Sequence, residues 1–327
     1  MQNNSQTFSI KQTILNKIKE NGGWINCHAH VDRAFTLTEE NFHVYTDYHI
    51  NQKWHYHDKM KKSFTVEDLV ERMSKALNIM IEQGVVGFGS YLDVDPAIED
   101  KALIASQIVK KNYIDKIDVR FTTQTFKGLL NKEARDWFDK ASEMVDIVGS
   151  TPRSDLGREA EHIEIVLKTA KRLGKMVHMH IDELHRESEK EMELLADKTI
   201  EYGMEGKVVA IHGISLSRQP KDYRQKIYKK IVDADITVVT CPTAWLDHPR
   251  TEELVPFHNS IFPVDEAVAA GVRVALGTDN FEDYTLPFGD GDMWFELRTL
   301  AHACRFTNIE ELVKIATVNG RKALGII

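Results

Sequence analysis

From Thr65 onward this chain alternates amphipathic segments with short apolar runs, and that alternation limits its fold more than any single motif does. Val66 to Gln83 carries apolar residues at helical spacing and stops at Gly84, after which Val85 to Val94 reads as a strand. The pattern repeats. The helical stretches Lys101 to Lys110, Lys132 to Ser142, Glu159 to Leu173, Glu189 to Tyr202, Arg218 to Ala234 and Val264 to Ala270 precede, in turn, the strand-like runs Ile117 to Gln124, Met144 to Gly149, Met176 to His180, Val208 to His212, Ile236 to Cys241 and Val272 to Leu276. With a first strand in Trp24 to Phe35 there are eight strands, each later one preceded by a helix. Such alternation predicts parallel strands joined by right-handed helical crossovers, and eight of them predict closure into a (β/α)8 TIM barrel. An open doubly wound sheet is the competing fold, but no G-x-G-x-x-G or G-x-x-x-x-G-K-[ST] follows any strand.

The remaining segments fit around the barrel. Residues 1–23 read as a polar start and a helix, Ile10 to Lys19, closed by Asn21-Gly22-Gly23: an N-terminal extension to a domain spanning 24–327. Thr36 to Ser63 reads as a long polar and aromatic loop, either a wall over an active site or a surface insertion. Lys59, Lys61 and Lys62 within it read as solvated. Two helices, Met293 to Cys304 and Ile309 to Val318, end the chain.

A net charge of −8 with no Lys/Arg block argues against nucleic acid as a partner. No apolar run reaches membrane-spanning length, and no leader is evident, so no membrane partner is expected. Three widely spaced cysteines, Cys27, Cys241 and Cys304, make a disulfide framework improbable and point to a reducing cytoplasm.

Chemistry collects where a barrel puts it, at the C-terminal ends of strands. Strand one ends in His28 and His30, side chains that an extended strand points to one face. Strand five ends in His178, His180, Asp182 and Glu183, strand six in His212, strand eight in Asp279. One histidine at a strand end is commonly a hydrogen-bonded core residue; three such strand ends together, with the aspartate that ends a fourth, suit a divalent ion with an open position, Zn²⁺ or Fe²⁺. His178 lies one pleat deeper than His180 and reads as packed. Asp182 and His185 either orient the ligands or face solvent.

This set resembles the amidohydrolase superfamily, from Trp24 to the C-terminus. Finer matches point to its cytosine deaminase-like branch: His30-Val31-Asp32, His180-Ile181-Asp182-Glu183, Gly277-Thr278-Asp279 and Pro287-Phe288-Gly289-Asp290-Gly291-Asp292-Met293. HVDRAFT is similar to the HLDKxF of triazine-ring aminohydrolases. The resemblance implies one divalent metal ion held by His28, His30, His180 and Asp279, with Glu183, His212 and Asp279 as catalysts. No bridging carboxylated lysine is implied, because strand four ends DIVGS. Phe126 stands where cytosine deaminases have the glutamine that reads the pyrimidine's amide face, with Gln124 two residues earlier, and Asn280 replaces their second aspartate. Phe126, Asn280 and Trp245 are the expected substrate contacts, and cytosine itself fits poorly. The β-sandwich usual in this branch has little or no counterpart, which leaves family expectations of a homo-oligomer unanchored.

The expected function is a metal-dependent aminohydrolase acting on a small nitrogen heterocycle. A cyclic or linear amide hydrolase needs the same hydroxide. A metal- or ligand-binding protein without turnover would need neither Glu183 nor His212.

Overall fold

The computed structural model describes residues 8–48, 50–246 and 261–326. In chain order the elements are α1 (Ile10–Glu20), β1 (Trp24–Asn26), α2 (His43–Asp47), α3 (Ile50–Ser63), α4 (Val66–Glu82), β2 (Val85–Asp93), α5 (Lys101–Tyr113), β3 (Asp118–Gln124), α6 (Lys132–Met144) and β4 (Ile147–Ser150). They continue with α7 (Glu159–Leu173), β5 (Met176–Ile181), α8 (Glu191–Glu201), β6 (Val208–His212), α9 (Lys221–Asp233), β7 (Thr237–Thr240), α10 (Pro242–Leu246), α11 (Val264–Ala269), β8 (Arg273–Leu276), α12 (Met293–Ala303), α13 (Ile309–Ala316) and α14 (Val318–Leu324).

All eight strands are parallel and pair in sequence order from β1 to β8 in one sheet. Backbone bonds between the first and last strands bring the circle round: Cys27 N–H donates to Leu276 O (2.9 Å) and His30 N–H to Asp279 O (3.0 Å). The TIM barrel expected from the alternation is therefore the fold, and no second sheet occurs among the described residues. Asn26 strengthens that seam. It is fully buried, and its amide bonds the Thr278 hydroxyl at 2.8 Å while accepting from the Thr278 and His28 backbones, so the strand ends that carry His28 and Asp279 are fixed against each other.

The core lies mainly between the sheet and its helices, where β-branched and aromatic strand residues such as Val119, Phe121 and Val177 meet apolar helix faces such as Leu69, Met73 and Leu77. Gly149 in β4 marks a close approach: a Cβ there would lie 2.5 Å from His178 O and 2.4 Å from the Thr122 side chain.

Three segments differ from the sequence expectation. Residues 43–47 and 50–63 are helical rather than loop. Lys61 is not solvated: it is 1% exposed and ion-paired with Asp95, Asp58 and Asp93, although Lys59 and Lys62 are exposed. The final helical stretch breaks at Thr317, giving α13 and α14, because Thr317 leaves helical geometry (φ −134°, ψ −94°) and turns its hydroxyl back to Val313 O at 2.6 Å. α1 packs on the barrel through buried Ile14 and Ile18, with Lys17 3.4 Å from Glu310 on α13. No helix among the described residues is long and apolar enough to cross a membrane.

Candidate metal centre

The expected ligands meet at one mouth of the barrel. His28 Nε2 and His30 Nε2 each lie 3.4 Å from Asp279 Oδ1, and His180 joins them, its ring 5.0 Å from that of His28 and 5.4 Å from that of His30. Donor atoms of His28, His30 and His180 fall within 4.8 Å of one another, as do those of His28, His212 and Asp279 and those of His180, Glu183 and His212. All six side chains are buried.

Three observations make this set fit a divalent ion. His28 is completely buried, yet neither ring nitrogen has a hydrogen-bond partner, a condition that normally costs free energy. The 3.4 Å separations are also right, since two donors each about 2.1 Å from one ion in tetrahedral geometry stand about 3.4 Å apart. Protonation completes the fit. Burial and the neighbouring Arg33 and histidines hold His30 and His180 well below the usual imidazole range, leaving lone pairs available. Burial alone would raise the Asp279 carboxyl, but His28, His212 and Arg33 overcome it and draw it down to about 2.

Glu183 behaves oppositely: burial pushes its carboxyl up to about 7, against the pull of Arg153, whose Nη2 donates to Oε2 at 3.2 Å. His212 Nε2 sits between two carboxylates, 3.8 Å from Glu183 Oε1 and 3.7 Å from Asp279 Oδ2. His212 (φ 75°) and Asp279 (φ 64°) both adopt the left-handed backbone region, uncommon for residues with a side chain and a mark of functional positions.

Neighbouring residues have plainer roles. His178 is buried and bonds Ala323 O of α14 at 2.8 Å, so it packs rather than ligates. Asp182 accepts from the Glu191 and Met192 backbone N–H groups and caps α8; His185 is buried rather than solvated. Asp32 accepts from Asp93 N–H at 2.7 Å and ties the histidine loop to β2.

A cleft opens over these residues, lined by His30, His180, Glu183, His212 and Asp279. Phe126 and Asn280 are among its lining residues. Trp245 belongs to α10, but its side chain lies outside the described residues. Several groups escaped the sequence reading. α3 contributes Lys53, Trp54 and His57 to the lining, and Trp54 stacks on Phe126 (4.7 Å between ring centres) and under the Arg153 guanidinium (4.7 Å). Tyr91 of β2 backs the cluster, its ring 4.5 Å from His180 and 5.1 Å from His28. From the loop after β4, Thr151 Oγ1 lies 3.4 Å from His180 Nδ1, so that loop touches both His180 and Glu183.

A parallel barrel with buried histidines and carboxylates at the ends of β1, β5, β6 and β8 defines a class, the barrel hydrolases that act on carbon–nitrogen bonds. The chain belongs to the amidohydrolase family, whose model matches residues 22–327. An uncharacterized protein of Haemophilus influenzae is 45% identical over 267 residues, covering 81% of this chain and 97% of that protein. N-isopropylammelide isopropyl amidohydrolase of Pseudomonas sp. (strain ADP) is 24% identical over 294 residues, 87% of this chain and 70% of the enzyme. Among solved structures, 5-methylcytosine deaminase from Klebsiella pneumoniae superposes with a TM-score of 0.84 at 23% identity, covering 93% of this chain and 75% of that one.

Proposed function

We propose that this protein is a metal-dependent aminohydrolase that removes an amino group from a small nitrogen heterocycle, with residues 24–327 as the catalytic domain and 1–23 as an extension. His28, His30, His180 and Asp279 hold one divalent ion, Zn²⁺ or Fe²⁺. The observation that carries this reading is the placement of Glu183 and His212 beside the ligand set, on the cleft wall, where holding an ion alone would need neither.

A divalent ion bound there would lower the pKa of a water from about 15.7 to roughly 7, making hydroxide available near neutral pH. The residues then divide the work. Asp279, ionised at neutral pH, takes a proton from the attacking water. His212 donates a hydrogen bond from Nε2 to the oxygen that adds to the ring carbon. Glu183 gives its proton to the ring nitrogen, and proton transfer to the amino nitrogen lets the C–N bond break, so ammonia leaves and the oxygen remains as a carbonyl. A carboxyl near 7 suits a group that gains and loses a proton in one cycle.

Metal analysis with an ammonia-release screen of purines, pyrimidines, pterins and triazines tests the proposal. The expected result is stoichiometric metal, lost in His180→Ala, and turnover of at least one amino heterocycle. Glu183→Gln should keep the metal and lose roughly 10²- to 10⁴-fold in rate. Stoichiometric metal without turnover of any amine or amide would favour a binding protein, and unchanged metal in His180→Ala would overturn the ligand assignment.

A further inference from the structure

Asp155 follows β4, in the short turn that also carries Arg153, and its side chain is 8% exposed. Its carboxylate reaches across to a different loop. Oδ2 accepts from Leu129 N–H at 2.6 Å and Leu130 N–H at 3.3 Å, on the loop that follows β3 and carries Phe126. It also bonds His162 of α7, whose Nδ1 lies 2.6 Å away. Gly128 is left-handed (φ 76°), and a Cβ there would run into Asp155 Oδ1, so the β3 loop is shaped around this carboxylate. A carboxylate that only capped its own turn would bond amides beside it; Leu129 and Leu130 lie 26 and 25 residues away. Burial would raise its carboxyl, yet the His162 ring and the Leu129 amide hold it below its ordinary value. The acceptor therefore stays charged, and its bonds are of the stronger, charge-assisted kind.

The two loops that Asp155 joins meet one further residue. Trp54 of α3 packs on Phe126 from the β3 loop (4.7 Å between ring centres) and on the Arg153 guanidinium from the β4 turn (4.7 Å), and Asp58 of α3 pairs with Lys127 beside Phe126. Trp54 lines the cleft. We infer that Asp155 is a positioning residue: it staples the β3 loop to the β4 turn, and so holds Phe126 and Arg153 at the spacing that seats Trp54 and the cleft-facing side of α3. The same staple keeps Arg153 Nη2 3.2 Å from Glu183 Oε2. Asp155 itself belongs neither to the cleft lining nor to the proposed ligands. Its effect on the reaction therefore runs through Trp54 and Arg153, and that consequence rests on the aminohydrolase reading above.

Amide hydrogen exchange on the zinc-loaded full chain tests this. Asp155→Ala removes all three bonds, so protection should be lost both in the β3 loop and in α3 around Trp54, with zinc content unchanged. Asp155→Asn keeps an acceptor oxygen for the two amides and should restore most of that protection. His162→Leu removes one bond of the three and should show the same losses in smaller measure, which serves where the alanine variant does not fold. Kinetics on the amino heterocycle turned over fastest in the screen above give a second readout. Asp155→Ala should lower kcat/KM by roughly 10- to 100-fold, mainly through KM, since a small misplacement of positioning groups costs up to about 10²-fold. In a Trp54→Ala background the same substitution should raise KM no further, because the side chain it seats is gone. Faster exchange confined to the β3 loop and the β4 turn, or equal rises in KM with and without Trp54, overturns the inference and leaves Asp155 a structural residue. A wild type that turns over no ring overturns the aminohydrolase reading, and exchange in α3 then upholds or overturns the staple alone.

Discussion

The Glu183 carboxyl is pulled two ways, and the balance sets its usable pH. Burial raises it, and the Arg153 guanidinium 3.2 Å away lowers it, with about 7 as the outcome. In the proposed cycle the protonated form starts the reaction, so kcat/KM falls as pH rises through about 7. Removing the cation removes the lowering influence, so Arg153→Met should move that basic limb to higher pH, with Arg153→Lys in between. A profile of kcat/KM against pH checks this, and a limb unmoved by Arg153→Met would mean the pair does not tune the acid. Residues differ in how readable this was. Glu183 was legible because it stands three positions after His180 in a strand-end motif. Arg153 was not, since a lone arginine after an apolar strand carries no periodicity, and its partner lies 30 residues ahead. His178 was set apart from His180 in sequence only by lying one pleat deeper on the strand; the packing of α14, which supplies Ala323 O, is what gives it a partner.

Among the elements, α3 shows why a helix can pass for a loop. Its barrel-facing side holds Lys53, His57 and Lys61, spaced i, i+4, i+8, so the helical period is present but written in polar residues. A search for apolar periodicity misses such a face. Each inward residue has its own partner: Lys53 donates to Thr285 O at 2.9 Å, His57 bridges Tyr284 and Asp93, and Lys61 pairs with Asp95. These bonds seat the helix that carries Trp54 over the cleft. Breaking a buried pair by removing one partner costs about 3–5 kcal/mol, because the other charge stays buried. Lys61→Met should therefore lower the melting temperature and raise KM more than it lowers kcat, with metal content unchanged. Lys59→Ala, at an exposed position on the same helix, should change none of these. A fall in kcat with KM unchanged for Lys61→Met would separate α3 from substrate binding.

At the scale of the molecule, the barrel was legible because helix and strand periods alternate and each segment meets the sheet in the order the chain supplies it. The seam was harder to read. Asn26 and Thr278, which bond across it, are 252 residues apart and look like ordinary polar residues in sequence. The same seam bears on stability, since the proposed ligands come from the ends of β1, β5 and β8 and an ion would join strands already held by the apolar core. An ion that binds only the folded state adds RT ln(1 + [M]/Kd), about 4 kcal/mol at a thousandfold excess over Kd. For a chain of this size that is a shift of roughly 5–10 °C in melting temperature, scaled from the values of smaller domains. Chelation should accordingly lower the melting temperature by that order while far-UV circular dichroism at 25 °C stays that of a folded α/β protein. Restored Zn²⁺ or Fe²⁺ should recover the loss in a concentration-dependent way, and His180→Ala should show neither the loss nor the recovery. Collapse of the far-UV signal on chelation would make the ion a structural requirement of the fold. A melting temperature indifferent to chelator and metal alike would mean that the unbonded His28 ring has some other reason to be buried.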